Sequence, residues 1–156
     1  KNVTHRVTQN VIRGLIVLLG FIVISLAQAE TNISPVGNWT TMDPYSKKSK
    51  EVIQITEDEN HVLTGKIIKV FDPTQNRTMC ETCPEEFKNK PLVGMEVLWG
   101  VTQATKYTWN EGRMLNPRIG RVFTCNLTVS QDGQTITNRI YGNSGLVRTQ
   151  IWYRAA

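Results

Sequence analysis

The chain has 156 residues, 18 Lys and Arg against 13 Asp and Glu, a formal charge of +5 and 40% hydrophobic residues. That length fits one domain, and the apolar fraction is too high for a disordered chain. Three Cys are too few for a disulfide-built scaffold and two His too few for a histidine-rich metal site. The basic balance raises nucleic acid and membranes as partners, and the position of the charges decides between them.

Lys1, His5, Arg6 and Arg13 form a basic opening, and residues 14–26 then run apolar without a charge. Ala27-Gln28-Ala29 places small residues at the two positions a signal peptidase reads. The apolar run falls short of the roughly 20 residues that a membrane-spanning helix needs. The expectation is therefore a signal peptide over residues 1–29 and a folded, exported domain over 30–156, with membrane contact only through the leader. Removing that leader takes three bases and no acid, so the net charge drops from +5 to +2. Lys47, Lys48 and Lys50 are then the densest basic cluster, in a polar stretch that reads as a turn. No nucleic-acid motif accompanies them, so nucleic acid is set aside.

From residue 30 the chain is rich in Thr, Val, Ile and turn residues, without helical periodicity. Short runs at 36–41, 51–57, 61–70, 96–102, 107–115, 121–129, 135–141 and 146–154 read as strands. Asp58-Glu59-Asn60 links the second and third. Gln131-Asp132-Gly133-Gln134 has the Asp-Gly hairpin signature, and Asn143-Ser144-Gly145 closes the last hairpin. Only residues 71–92 form a long polar connection. On the sixth strand Phe123, Cys125, Leu127 and Val129 alternate with polar neighbours, and on the fourth Val97, Trp99 and Val101 share a face. Half-buried antiparallel strands joined by short turns favour an all-β meander of about eight strands. Closing it into a barrel removes its exposed edges. On the second and eighth strands either face fits the core.

Gly37-Asn38-Trp39, with Arg154 near the end of the last strand, resembles the calycin pattern of lipocalins and their relatives. In that pattern an Arg from the far end of the barrel covers the Trp of the opening strand. An eight-stranded meander ends beside its beginning, so Arg154 can stack on Trp39. A fuller resemblance runs from about residue 36 to 154. It comprises Gly37-Asn38-Trp39-Thr40-Thr41-Met42-Asp43, Gly65-Lys66-Ile67, Cys80-Glu81-Thr82-Cys83, Pro91-Leu92-Val93-Gly94-Met95 and the closing Arg148-Thr149-Gln150-Ile151-Trp152-Tyr153-Arg154. These resemble, in order, the bacterial family called domain of unknown function 2147 (DUF2147). The resemblance implies a small exported bacterial protein, in the periplasm of a Gram-negative cell, with a calycin-like barrel and no established activity. The chain departs from the family pattern at Pro44-Tyr45 and the lysines that follow. It also departs at Asn116, where Asp is usual, and at Ile140, where Gly is usual.

Cys80-x-x-Cys83 fits a structural disulfide, a redox pair or half of a metal site. Only Cys125 and His61 remain beyond the leader to complete a four-ligand set. Glu81, Glu85 and Glu86 disfavour a reactive thiolate, and export favours a loop-pinning disulfide. Neither a metal nor a cofactor is expected. No Gly-x-Ser-x-Gly elbow, phosphate-cradling loop or dinucleotide fingerprint occurs, so the chain reads as no enzyme.

The last strand is the best candidate site. Arg148, Gln150 and Trp152 share one face, and a buried Arg there needs Asp43, Glu96 or a bound anion as partner. Lys66, next to Gly65, belongs to the same question. The favoured function is binding of a small amphipathic or anionic ligand within a cavity of a few hundred Å³. The alternatives are an envelope-structural or protein-interaction module with a filled barrel, and a hydrolase or redox enzyme.

Overall fold

The computed structural model describes residues 33–71 and 78–156. The expected leader over 1–29 lies outside the described residues. Eight strands follow in order: β1 (Gly37–Met42), β2 (Ser49–Glu57), β3 (Leu63–Val70), β4 (Glu96–Gln103), β5 (Thr108–Asn116), β6 (Arg121–Val129), β7 (Thr135–Gly142) and β8 (Gly145–Arg154). Each pairs with the next and β8 returns to β1, closing an antiparallel barrel. The bounds lie within two residues of those read from alternation and turn chemistry.

Residues opposite one another in an antiparallel pair share a face, so the register defines the interior. Trp39 stands opposite Ile53, and Ile53 opposite Ile67. Leu98 pairs with Met114 and Met114 with Phe123. Cys125 pairs with Ile140, and Ile140 with Arg148. Register also settles the two ambiguous strands. On β2 the inner set is Glu51, Ile53 and Ile55, which face Thr41, Trp39 and Gly37. On β8 it is Arg148, Gln150 and Trp152, opposite Ile140, Asn138 and Ile136.

The fourth strand departs from the expected alternation. Gly100 takes a left-handed conformation (φ 69°) that shifts the phase. Leu98 and Val101 therefore both point inward, whereas Val97 and Trp99 belong to the outer face. Trp99 stacks on Phe87 of the β3–β4 connection at 6.3 Å between ring centroids. That connection is not the merely polar loop its composition implies. Cys80 and Cys83 form a disulfide, and both are buried together with Leu92 and Met95. Thr82 Oγ1 donates to the carbonyl of Pro117 at 3.3 Å, which moors the segment to the β5–β6 turn.

The barrel is closed and dry where β1 begins. Trp39, Ile55, Leu63, Val101, Ile136 and Trp152 are each at most 1% exposed there. Burying such side chains contributes about 1.5–3 kcal/mol apiece. The Arg154 guanidinium lies 4.2 Å from the centre of the Trp39 ring. It also donates to the carbonyls of Gly133 (2.7 Å), Ser34 (3.0 Å) and Val36 (3.2 Å). Trp39 Nε1 donates to Pro35 O at 2.7 Å. Gly37 is required beside this stack, because a Cβ there would sit 2.8 Å from an Arg154 nitrogen. The β1–β8 ladder is short: Trp39 pairs with Arg154 and Thr40 with Tyr153, and the Ala155 amide donates to Asn38 O at 2.9 Å.

Candidate functional site

At the opposite end, where β1 runs out and the β5–β6 and β7–β8 turns lie, the barrel keeps a mouth. A cavity of about 100 Å³ opens there, walled by Met114, Phe123, Ile140 and Val147 and edged by Asp43, Lys50, Glu51, Arg118 and Arg148. Ligand sites run from roughly 300 Å³ upward, so the enclosed space is smaller than the few hundred Å³ expected. It does not stand alone. A groove of about 460 Å³ lines the β1–β8 seam and shares Met42, Asp43, Pro44 and Gln150 with the cavity. The seam is open there because the β1–β8 ladder stops at Thr40 and Tyr153, and β1 bends into its turn after Met42.

β8 arranges the interior polar groups as a ladder, with successive inward residues about 6.6 Å apart along the strand. Arg148 and Gln150 line the cavity. Trp152 is fully buried one step deeper, and its Nε1 donates to Gln150 Oε1 at 3.3 Å. Opposite Gln150 stands Asn138, fully buried, whose Nδ2 donates to Met114 Sδ at 3.1 Å. The Asn138 Oδ1 has no hydrogen-bond partner among the described residues.

Charge pairing at the mouth is uneven. Asp43 accepts hydrogen bonds from the amides of Ser46 (2.8 Å) and Tyr45 (3.0 Å) and from the Ser46 hydroxyl (3.1 Å). Arg118 stands 3.9 Å away. The Ser46 amide chiefly, joined by the Tyr45 amide, the Ser46 hydroxyl and Arg118, holds the Asp43 carboxyl below its usual range, and burial, the second-largest influence, opposes them. Glu51 is buried, with Lys50 at 3.6 Å. The Arg148 side chain has neither a hydrogen bond nor an ion pair among the described residues. Asp43 is engaged by its own turn, and Glu96 faces Lys66 across β3 and β4, away from the cavity.

The structure thus brings Arg148, Gln150 and Asp43 together on the cavity and sets Trp152 beneath them. Lys66 is exposed on the outer wall and does not join them. Glu51, Asn138 and Met114 escaped the reading of the sequence. The parity of Ile136 and Ile140 on β7 carried a signal for Asn138, but the unbroken apolar run Val52-Ile53 hid the parity of Glu51. Cys80 and Cys83 lie outside the barrel, where Cys80 Sγ sits 3.5 Å from Pro117 O and backs the cavity wall. Burial pushes the Cys125 thiol up to about 12. His61 is exposed at the far end and bonded to Glu57 at 2.8 Å. Among the described residues no group of three His, Cys, Asp or Glu side chains could hold a metal ion.

A closed eight-stranded antiparallel meander, capped at one end by a Trp–Arg stack and open at the other, is a lipocalin-like barrel. A solved structure described as protein HP1028 from the human pathogen Helicobacter pylori, which belongs to the lipocalin family, superposes with a TM-score of 0.68. The two share 15% identity over 80% of this chain and 84% of that one, a likeness that shows the fold. Residues 37–154 match the family described as uncharacterized protein conserved in bacteria (DUF2147), and the chain belongs to that family. Comparison with curated proteins finds no match.

Proposed function

We propose that the protein is an exported, non-catalytic carrier or sensor in the periplasm that binds a small amphipathic anion at the mouth of its barrel. One observation carries this reading: Arg148 lines an apolar-walled cavity and has no protein partner among the described residues. An inward-facing cation without a counter-charge is costly, and a bound carboxylate, sulfonate or phosphate offsets that cost with charge-assisted hydrogen bonds. The enclosed volume of about 100 Å³ suits a headgroup, and the groove along the seam suits an apolar tail. Met114, Phe123 and Ile140 supply the apolar wall, while Gln150 offers a polar contact.

The test uses an environment-sensitive probe, anilinonaphthalene sulfonate, which joins an anionic group to apolar rings. Saturable fluorescence enhancement is expected, weakened about tenfold or more in Arg148→Met, as befits loss of a charged hydrogen bond. Undiminished binding by Arg148→Met would overturn the reading.

A further inference from the structure

We infer that the mouth end of the barrel docks on an anionic phospholipid surface. Three loops at this end carry large apolar side chains out into solvent. The β1–β2 turn presents Tyr45 (80% exposed), the β5–β6 turn Ile119 (49%), and the β7–β8 hairpin Leu146 and Val147 (58% and 56%). Around these tips stand Lys47, Lys48, Lys50, Arg118, Arg121 and Arg148, against only Asp43 and Glu51. The described part of the β3–β4 connection adds three carboxylates and two lysines, which leaves the excess positive.

The other end has the opposite character. Its loops at 58–62, 104–107 and 130–134 hold Asp58, Glu59 and Asp132 beside Glu57, with Lys106 as their lysine. None of the exposed large apolar side chains falls in those loops. Among the described residues, basic charge and apolar loop tips therefore coincide at one pole, while acidic loops mark the other, where Val36, next to β1, and Tyr153 of β8 are exposed away from the loop tips.

Apolar tips inserted at the headgroup boundary, ringed by cations drawn to anionic lipid, are what interfacial docking requires. The acidic pole is repelled by the same surface, so the field of the described residues turns the mouth toward the bilayer. A soluble polyanion satisfies the cations but gives Tyr45 and Ile119 nothing apolar to enter. This separates a membrane from nucleic acid, and it assigns a purpose to the Lys47–Lys50 cluster, which no nucleic-acid motif accompanies. Docking is independent of what the cavity binds, but it places the cavity against the source of amphiphiles.

The test is hydrogen–deuterium exchange of the full chain with phosphatidylcholine vesicles, with and without about a third phosphatidylglycerol. Among residues 33–71 and 78–156, protection confined to 43–48, 117–120 and 143–147, and only with the anionic vesicles, is expected. Lys47→Glu with Lys48→Glu should weaken vesicle affinity about tenfold or more. Tyr45→Ser with Ile119→Ser should weaken it at low salt, where the charges are unscreened. Tyr45, Lys47, Lys48 and Ile119 are exposed, and unchanged exchange at 58–62 and 130–134 reports that each variant is folded. Every variant shares residues 1–32, so the differences read the mouth alone. Protection at the acidic pole, equal protection by neutral vesicles, or equal protection by heparin with no effect of the serine variants would each overturn the inference.

Discussion

β8 sends two arginines to the inner side of the barrel six residues apart, and their surroundings could hardly differ more. Arg154 is fully employed: it covers the Trp39 ring and donates to three carbonyls. Arg148 lines a cavity and has no partner among the described residues. A cation satisfied by its own chain is part of the fold, whereas one left unsatisfied at a mouth is available to something that arrives. The same residue type on one strand face thus marks the closed pole as architecture and leaves the open pole with the unpaired cation on which the proposed function rests.

The contrast breaks most visibly at the closed pole. Trp39→Ala should destabilise the protein by about 3–5 kcal/mol through the cavity it leaves. Arg154→Ala should cost about 1–3 kcal/mol through lost stacking and unpaired carbonyls. Arg148→Ala should fall within about 0.5 kcal/mol of the parent or above it. Chemical denaturation of the three checks this order, and a cost for Arg148→Ala equal to that of Arg154→Ala would erase the distinction.

Ile140 sets the size of the mouth, being 8% exposed on the cavity wall. Ile140→Ala should lose about 2 kcal/mol or more of stability and admit a bulkier ligand. Denaturation combined with probe titration reads both effects.

Cys125 reports whether the middle of the barrel is dry. Below its ordinary value of 9.0 the thiol is protonated both folded and unfolded. As pH rises from there toward the folded value of about 12, the unfolded chain releases a proton that the folded one keeps. Stability should therefore fall by roughly 1 kcal/mol per pH unit across that window, and Cys125→Ala should lack this component. Alkylation at neutral pH should proceed only on unfolding.

The smallest effect concerns the rim. The Asp43 carboxyl is held below its ordinary 3.8, so its stabilisation is present above that value and is lost as pH falls through the lower folded one. Asp43→Asn should loosen the β1–β2 turn with a change within about 1 kcal/mol, read as faster amide exchange at Tyr45 and Ser46.

Much of this was legible in the sequence, because strand alternation and turn chemistry are local. β6 reads directly from Phe123 to Val129, and the Asp132-Gly133 hairpin fixes where β7 starts. What was not legible depends on contacts distant in sequence. The phase slip at Gly100 moved Trp99 to the outer face, where Phe87 covers it. Cys80, Cys83 and Leu92 sit in a polar stretch yet are buried against the barrel wall. At the site, alternation grouped Arg148, Gln150 and Trp152, but only register shows that Glu51 faces Thr41 and Asn138 faces Gln150. Nor can a sequence show that Asp43 spends Oδ1 on its own turn and turns Oδ2 to Arg118, which leaves Arg148 without an ion pair among the described residues.

The most direct test of that unpaired arginine is calorimetric titration with a matched pair of amphiphiles, decanoate and decanol, into the parent and Arg148→Met. Decanoate should bind the parent about tenfold or more tightly than decanol does, and Arg148→Met should remove the difference. Equal affinities in the parent, or a preference that survives in Arg148→Met, would contradict that role for Arg148.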